Sequence, residues 1–159
     1  MSGIDFVVAW VDGADPEWKK EKDKYQVTKV HEETSGSDAR YRDWDNFQYW
    51  FRTVERHAPW VRKIHLVTWG HLPEWLNIDH PKLQIVNHKD FIPKEYLPTF
   101  SSHTIELNLH RISGLSDKFV YFNDDTYLNG DVSDFQQYFK LPFAGRRSFS
   151  VAKAEEKNN

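Results

Sequence analysis

Two adjacent carboxylates, Asp124 and Asp125, follow directly on the aromatic, apolar run Lys118 to Phe122, with Asn123 between. That run has the composition and length of a buried strand. Paired acids at a strand end cannot both be buried bare, because unpaired buried charge is too costly. They must be solvated, matched to bases, or bound to a cation. Ligands of open α/β sheets sit outside the carboxyl ends of strands. Magnesium takes oxygen donors and is often held by one or two carboxylates plus substrate phosphates. One reading is therefore a metal–diphosphate site. The other is a plain strand-to-loop turn, since Asn and Asp favour turns for backbone reasons.

A second acidic turn, Asp12-Gly13-Ala14-Asp15, follows the apolar run Ile4 to Val11. If the two strands are neighbours, four carboxylates converge at one sheet edge. Asp15 has a competing role, because Asp15-Pro16-Glu17 is a good helix start. Arg40 and Arg42 stand beside Asp43, and Arg52 and Arg56 lie one turn apart further on. Arginine suits bidentate phosphate contacts, although a solvated face of mixed charge is the commoner use. His103, Glu106 and His110 fall at three- and four-residue steps and would share one face of a helix. Glu106 with His110 could orient a base, or the three could form a polar face. No histidine pair has zinc-type spacing, and no Walker loop or dinucleotide glycine fingerprint is present.

The elements that must position these groups alternate strand and helix. Ile4 to Val11, Lys63 to Trp69, Leu83 to Val86 and Lys118 to Phe122 read as strands. Helices are expected from Pro16 to about Val27, lying on the surface, and from Asp43 to His57, capped by Asp43. The second has an apolar stripe of Trp44, Phe47, Phe51 and Val54. A third is expected from His103 to Ile112, capped by Ser101 or Ser102 and ended by Gly114. A fourth is expected from Val132 to Phe139. His31 to Ala39 and Asp90 to Phe100 read as loops. The class is α/β, a mainly parallel sheet with helices on both faces. One domain over residues 1–145 and a polar tail over 146–159 are expected.

Composition narrows the partners. The net charge of −3 argues against nucleic acid. Seven Trp in 159 residues point to a core of large rings or a site that stacks on sugars. There is no Cys, which removes disulfides and thiolate metal sites and fits a reducing compartment. No signal peptide and no membrane-spanning run is visible, so any membrane contact would be peripheral.

The stretch IDFVVAWVDGADPEW resembles the first conserved block of the Stealth family. RYRDWDNFQYWFRTVERHAPWVRKIHLVTWGHLPEWLN, then LPTFSSHTIELNLHRISGLSDKFVYFNDDTYL, resembles its second and longest block. The likeness runs from about Ile4 to Leu128. The family includes bacterial capsular polysaccharide phosphotransferases and the animal enzyme that tags lysosomal glycoproteins with N-acetylglucosamine 1-phosphate. The resemblance implies a nucleotide-sugar-transferase-like, Rossmann-like core and a divalent cation, Mg2+ or Mn2+, on Asp124 and Asp125. It implies transfer of a hexose 1-phosphate from a nucleotide-sugar donor to a hydroxyl of an oligo- or polysaccharide acceptor, in capsule or exopolysaccharide synthesis. The matching positions are Asp15, Arg40, Asp43, Arg52, Thr68, Pro98 to Ser101, Glu106, His110, Arg111, Asn123, Asp124 and Asp125. Asp12 is the less secure acid, and His110 is favoured over His103 as the base. Asp15, His110 and Asp125 are the expected catalytic groups. Asp12, Arg40, Asp43, Arg52, Thr68, Ser101, Glu106, Arg111 and Asn123 are the expected substrate contacts. The expected location is the cytoplasm, at the inner face of a bacterial plasma membrane. Larger relatives carry further blocks, so a short or truncated member is expected. The rival activities are a metal-dependent glycosyltransferase releasing nucleoside diphosphate, and a non-catalytic nucleotide-sugar or glycan-binding module.

Overall fold

The structure is a computed structural model that describes residues 3–25 and 46–132. Four parallel strands form its sheet: β1 (Asp5–Ala9), β2 (Ile64–Thr68), β3 (Leu83–Asn87) and β4 (Phe119–Asn123), in the order β3-β2-β1-β4. The register pairs Phe6 with Ile64, Ile64 with Leu83, and Asp5 with Phe119. β1 and β2 are shorter than their expected runs, β3 extends one residue further to Asn87, and β4 is shifted by one residue to end at Asn123.

The central strand is apolar on both faces because both faces are covered. Ile4, Phe6, Val8 and Trp10 join one cluster with α2 (Phe47–His57). Val7 joins a second cluster with α3 (His88–Phe91) and α4 (Ser102–Asn108), through Phe91, Ile105 and Leu109. Full burial of side chains of this size contributes about 1.5–3 kcal/mol each. The segment between β2 and β3 packs Leu72 and Leu76 on the α2 face. Connections that step from β1 to β2 to β3 therefore cover one face. The connection that returns to β4 covers the other, as right-handed crossovers require.

The helices differ from expectation in instructive ways. α1 (Pro16–Tyr25) buries Trp18 and Lys22, so it is anchored rather than merely lying on the surface. Trp18 meets Phe100 edge-on. α2 begins at Phe47 after Asn46, not at a cap on Asp43, which lies outside the described residues with Arg40 and Trp44. Its deepest ring is Trp50, fully buried against Phe122, a residue absent from the expected stripe. Ala58 leaves helical geometry just before Pro59, as expected. The 90–100 stretch is more regular than a loop. α3 is held by Asn87 donating its N–H to Asp90 Oδ2 at 2.8 Å, and a 3-10 turn follows over Lys94–Tyr96. α4 ends at Asn108 and tightens to a 3-10 turn, Leu109–Arg111, instead of running on to Ile112. Gly114 has a φ of 76°, the left-handed conformation expected of a helix stop. The expected loop over 31–39, and the helix from Val132 and tail beyond it, lie outside the described residues apart from non-helical Val132.

The amino ends of the strands are tied by one buried acid. Asp5 accepts from the Arg62 guanidinium, from Ser116 N–H at 2.8 Å and from His65 Nε2 at 3.0 Å, all on Oδ2. Burial pushes the Asp5 carboxyl up, but hydrogen bonds from His65, Arg62 and Ser116 outweigh it and hold the group below the usual range.

Candidate active site at the carboxyl ends of the strands

The strand order reverses between β1 and β4, so this is where a ligand crevice opens in a sheet of this type. Ala9 pairs with Asn123, which starts the two acidic turns at neighbouring points on one rim.

On the β1 side the carboxylates shape their own loop. Asp12 Oδ1 accepts from Ala14 N–H at 2.7 Å. Asp15 Oδ1 accepts from Trp18 N–H at 2.7 Å, which makes it the cap of α1. Asp15 Oδ2 stands 3.6 Å from His71 Nδ1, while His71 Nε2 accepts from the Asp12 N–H at 2.8 Å. An accepting Nε2 requires the neutral ring with its proton on Nδ1, facing Asp15. Burial lowers the His71 pKa against the pull of Asp15 and Asp12, consistent with that neutral form. Trp10 packs edge-on against the same ring.

Thr68 ends β2, fully buried. Its hydroxyl donates to His71 O at 2.6 Å and accepts from Gly70 N–H at 3.3 Å. Both hydroxyl functions are thus engaged in folding the turn that delivers His71. Gly70 has a φ of 147°, a conformation side chains rarely adopt. Beside it, at the end of β3, His88 is buried. Burial and then the charge of His71 lower its pKa to about 4.

On the β4 side Asn123 and Asp125 are exposed and Asp124 is half-buried. Thr126 N–H donates to Asn123 O at 3.1 Å, closing a turn that contains both acids. Tyr121, two residues earlier, is buried. Burial, then the charges of Glu106 and Asp124, push its hydroxyl well above its ordinary pKa. Glu106 on α4 therefore acts on the same hydroxyl as Asp124.

The other expected residues are spread out. Ser101 is exposed and precedes α4, its carbonyl accepting from Ile105 N–H. His110 and Arg111 are exposed in the 3-10 turn, within four residues of Gly114. The Gly114 carbonyl accepts from Arg62 at the amino ends of the strands. Arg52 is on the flank of α2 turned toward β3, with its guanidinium over the Tyr49 ring at 5.1 Å. Trp50, on the opposite flank, faces β4. Among the expected contacts, Asp12, Asp15, Asn123, Asp124 and Asp125 share the rim beside the β1–β4 reversal. Arg40 and Asp43 lie outside the described residues.

Among the described residues, no three His, Asp or Glu side chains are grouped to hold a metal ion. Asp124 and Asp125 alone supply hard oxygen donors. They fit Mg2+ or Mn2+ only in the form completed by water and phosphate, which needs no third protein ligand. The sequence alone did not single out His71. Its position three residues past the end of β2 puts it on the same rim, and that was the available signal. No helix among the described residues is long and apolar enough to cross a membrane.

Comparison with known proteins gives the family of the chain. Residues 3–26 match the family model for Stealth protein conserved region 1, and residues 40–144 that for conserved region 2. The chain is 60% identical over 129 residues to the capsular polysaccharide phosphotransferase WcwK of Streptococcus pneumoniae, covering 81% of this chain and 39% of that protein. It is 57% identical over 138 residues to the capsular polysaccharide phosphotransferase eps5J of Streptococcus thermophilus, covering 83% and 57%. The receptor polysaccharide phosphotransferase WefC of Streptococcus oralis is 50% identical over 145 residues, covering 89% and 44%. The chain thus spans 39 to 57% of the length of these relatives.

Proposed function

This chain belongs to the Stealth family, and from that premise we propose that it carries the donor-binding part of a sugar-1-phosphate transferase. The reaction moves a hexose 1-phosphate from a nucleotide-sugar to a sugar hydroxyl in capsular or exopolysaccharide synthesis, at the cytoplasmic face of the membrane. The observation that carries this reading is the pairing of β1 with β4, which sets two acidic turns side by side where the strand order reverses.

Asp124 and Asp125 would hold Mg2+ or Mn2+, which when bound neutralises charge on a diphosphate. Asn123, exposed beside them, offers an amide to a phosphate or sugar oxygen. Asp15 keeps the β1 turn open by capping α1 and steadies the neutral His71 ring. The acceptor hydroxyl must lose a proton, and Glu106 or His110 on the following turn would take it. The charge of Glu106 raises the pKa of the same Tyr121 hydroxyl as that of Asp124. Positioning and electrostatics supply most of the rate in phosphoryl-type transfer.

The test is incubation with nucleotide-sugar, oligosaccharide acceptor and magnesium, followed by separation of the nucleotide products. Nucleoside monophosphate is expected. Nucleoside diphosphate as the sole product overturns the reading in favour of an ordinary glycosyltransferase.

A further inference from the structure

A cavity of about 640 Å3 lies away from the acidic rim, between α2 and the segment that joins β2 to β3. Its floor is apolar, formed by Val54, Ala58, Ile64 and Leu83. Trp75 stands at its wall, 42% exposed. The rings of Phe47 and Phe51 meet the Trp75 indole edge-on, at 6.0 and 5.8 Å, and hold it in one orientation.

We propose that this cavity is a carbohydrate subsite that holds neutral hexose units of the polysaccharide acceptor. The proposal rests on the transferase reading for its acceptor, but its chemistry is local. A sugar ring presents one apolar face and a fringe of hydroxyls. A fixed, half-exposed indole suits the first. The fringe needs donors and acceptors together, and the wall supplies both. His80 Nδ1 accepts from Lys82 N–H, which leaves its Nε2–H as a donor. Asn77 Oδ1 accepts from Asp79 N–H, which leaves its amide NH2. Glu55 adds a carboxylate acceptor.

The wall carries two cations, Arg52 and Lys82, and one carboxylate, Glu55, and both cations are engaged. The Lys82 ammonium donates to Pro59 O at 2.7 Å, and Arg52 is turned over Tyr49 and toward Gln48. The volume falls within the range of small-molecule sites, about 300–1,000 Å3. A polymer acceptor gains from such a remote hold, because binding far from the reacting hydroxyl can offset the cost of orienting it.

The test is a titration of the whole chain with lactose, maltotriose and cellotriose at millimolar concentration, without nucleotide or metal. The readout is the indole resonance of Trp75, assigned by its loss in Trp75→Phe. A saturable shift of that resonance with at least one sugar is expected. Glu55→Ala, an exposed helix position that should not disturb folding, is expected to weaken binding about fivefold. No shift with any of the three sugars, shifts confined to other indoles, or unchanged affinity in Glu55→Ala overturns the proposal. Sugar binding here should persist in Asp125→Asn. Its absence alongside intact metal-dependent donor binding would sink the subsite and leave the transferase reading standing. Its presence with nucleoside diphosphate as the sole product would do the reverse.

Discussion

Asp5 and Asp125 lie near opposite ends of the same pair of strands, and their surroundings are opposite too. Asp5, at the first position of β1, is fully buried and shares one oxygen among Arg62, Ser116 and His65. Asp125, just past β4, is exposed, and its one described contact is Thr126 Oγ1 at 3.4 Å. The first carboxylate is matched to donors inside the protein. The second has its oxygens turned toward solvent. The contrast separates two uses of an acid in a parallel sheet. One fastens the amino ends of three strands, and the other is open to a ligand at the carboxyl ends.

The largest effect should come from the buried member. Asp5→Ala leaves Ser116 N–H and His65 without their acceptor, while Arg62, 38% exposed, can turn to water. Removing one partner of a buried pair usually destabilises by about 3–5 kcal/mol. The exposure of Arg62 argues for the lower end, about 3 kcal/mol. Urea unfolding measures it, and a loss under about 1 kcal/mol would mean the network does not tie the strands together.

The exposed member should show the reverse pattern. Asp125→Asn is nearly isosteric and leaves no buried group unmatched, so the unfolding midpoint should hardly move. Phosphotransfer should fall about a hundredfold, near 2.7 kcal/mol of transition-state stabilisation, with a weaker dependence on magnesium. Unchanged turnover with unchanged metal dependence would remove Asp125 from the site.

Acidification sharpens the contrast further, because the two ends of the sheet respond in different windows. His88, near the carboxyl ends, has its pKa lowered from 6.5 to about 4 by burial. The unfolded chain therefore binds the proton first, and stability falls as pH drops through that interval. Most of the loss, about 3 kcal/mol, should be complete near the lower value. His71 is depressed in the same direction and adds to the slope. Asp5, also depressed, contributes stability that is lost only lower, as pH falls below 3.8. Urea midpoints across this range should slope less in His88→Gln, and an unchanged slope would exclude His88 as a source.

How much of this the sequence disclosed depended on whether the cause was local. β1 and β4 were legible because a strand covered on both faces is apolar throughout, and both acidic turns followed from those strand ends. The cap on α1 was legible because Asp-Pro-Glu acts within four residues. The break after Asn108 was not. The His103 to Ile112 periodicity fits a continuous helix, but the Asn108 amide donates back to Thr104 O at 2.9 Å and the next turn tightens. The burial of Trp18 and Trp50 depended on partners, Phe100 and Phe122, far along the chain. The direction of Arg52 was equally hidden. Spacing alone gave a solvated face of mixed charge as the commoner use, and it is the helix that sets the guanidinium over Tyr49 beside the cavity.

Asp15 sits between the two uses of an acid, and its variants give the finest test. As a cap it accepts from Trp18 N–H, and as a neighbour it faces His71 at 3.6 Å. Asp15→Ala should cost about 1 kcal/mol of stability through the lost cap. Asp15→Asn keeps an oxygen for the cap, since Asn and Asp serve that position about equally, so its stability should stay close to the parent. The amide loses only the charge that pulls against burial at His71. If phosphotransfer also survives in Asp15→Asn, then Asp15 is an acid of the Asp5 kind, used to shape the fold. If it falls while the unfolding midpoint holds, the charge itself serves the site, and Asp15 belongs with Asp125.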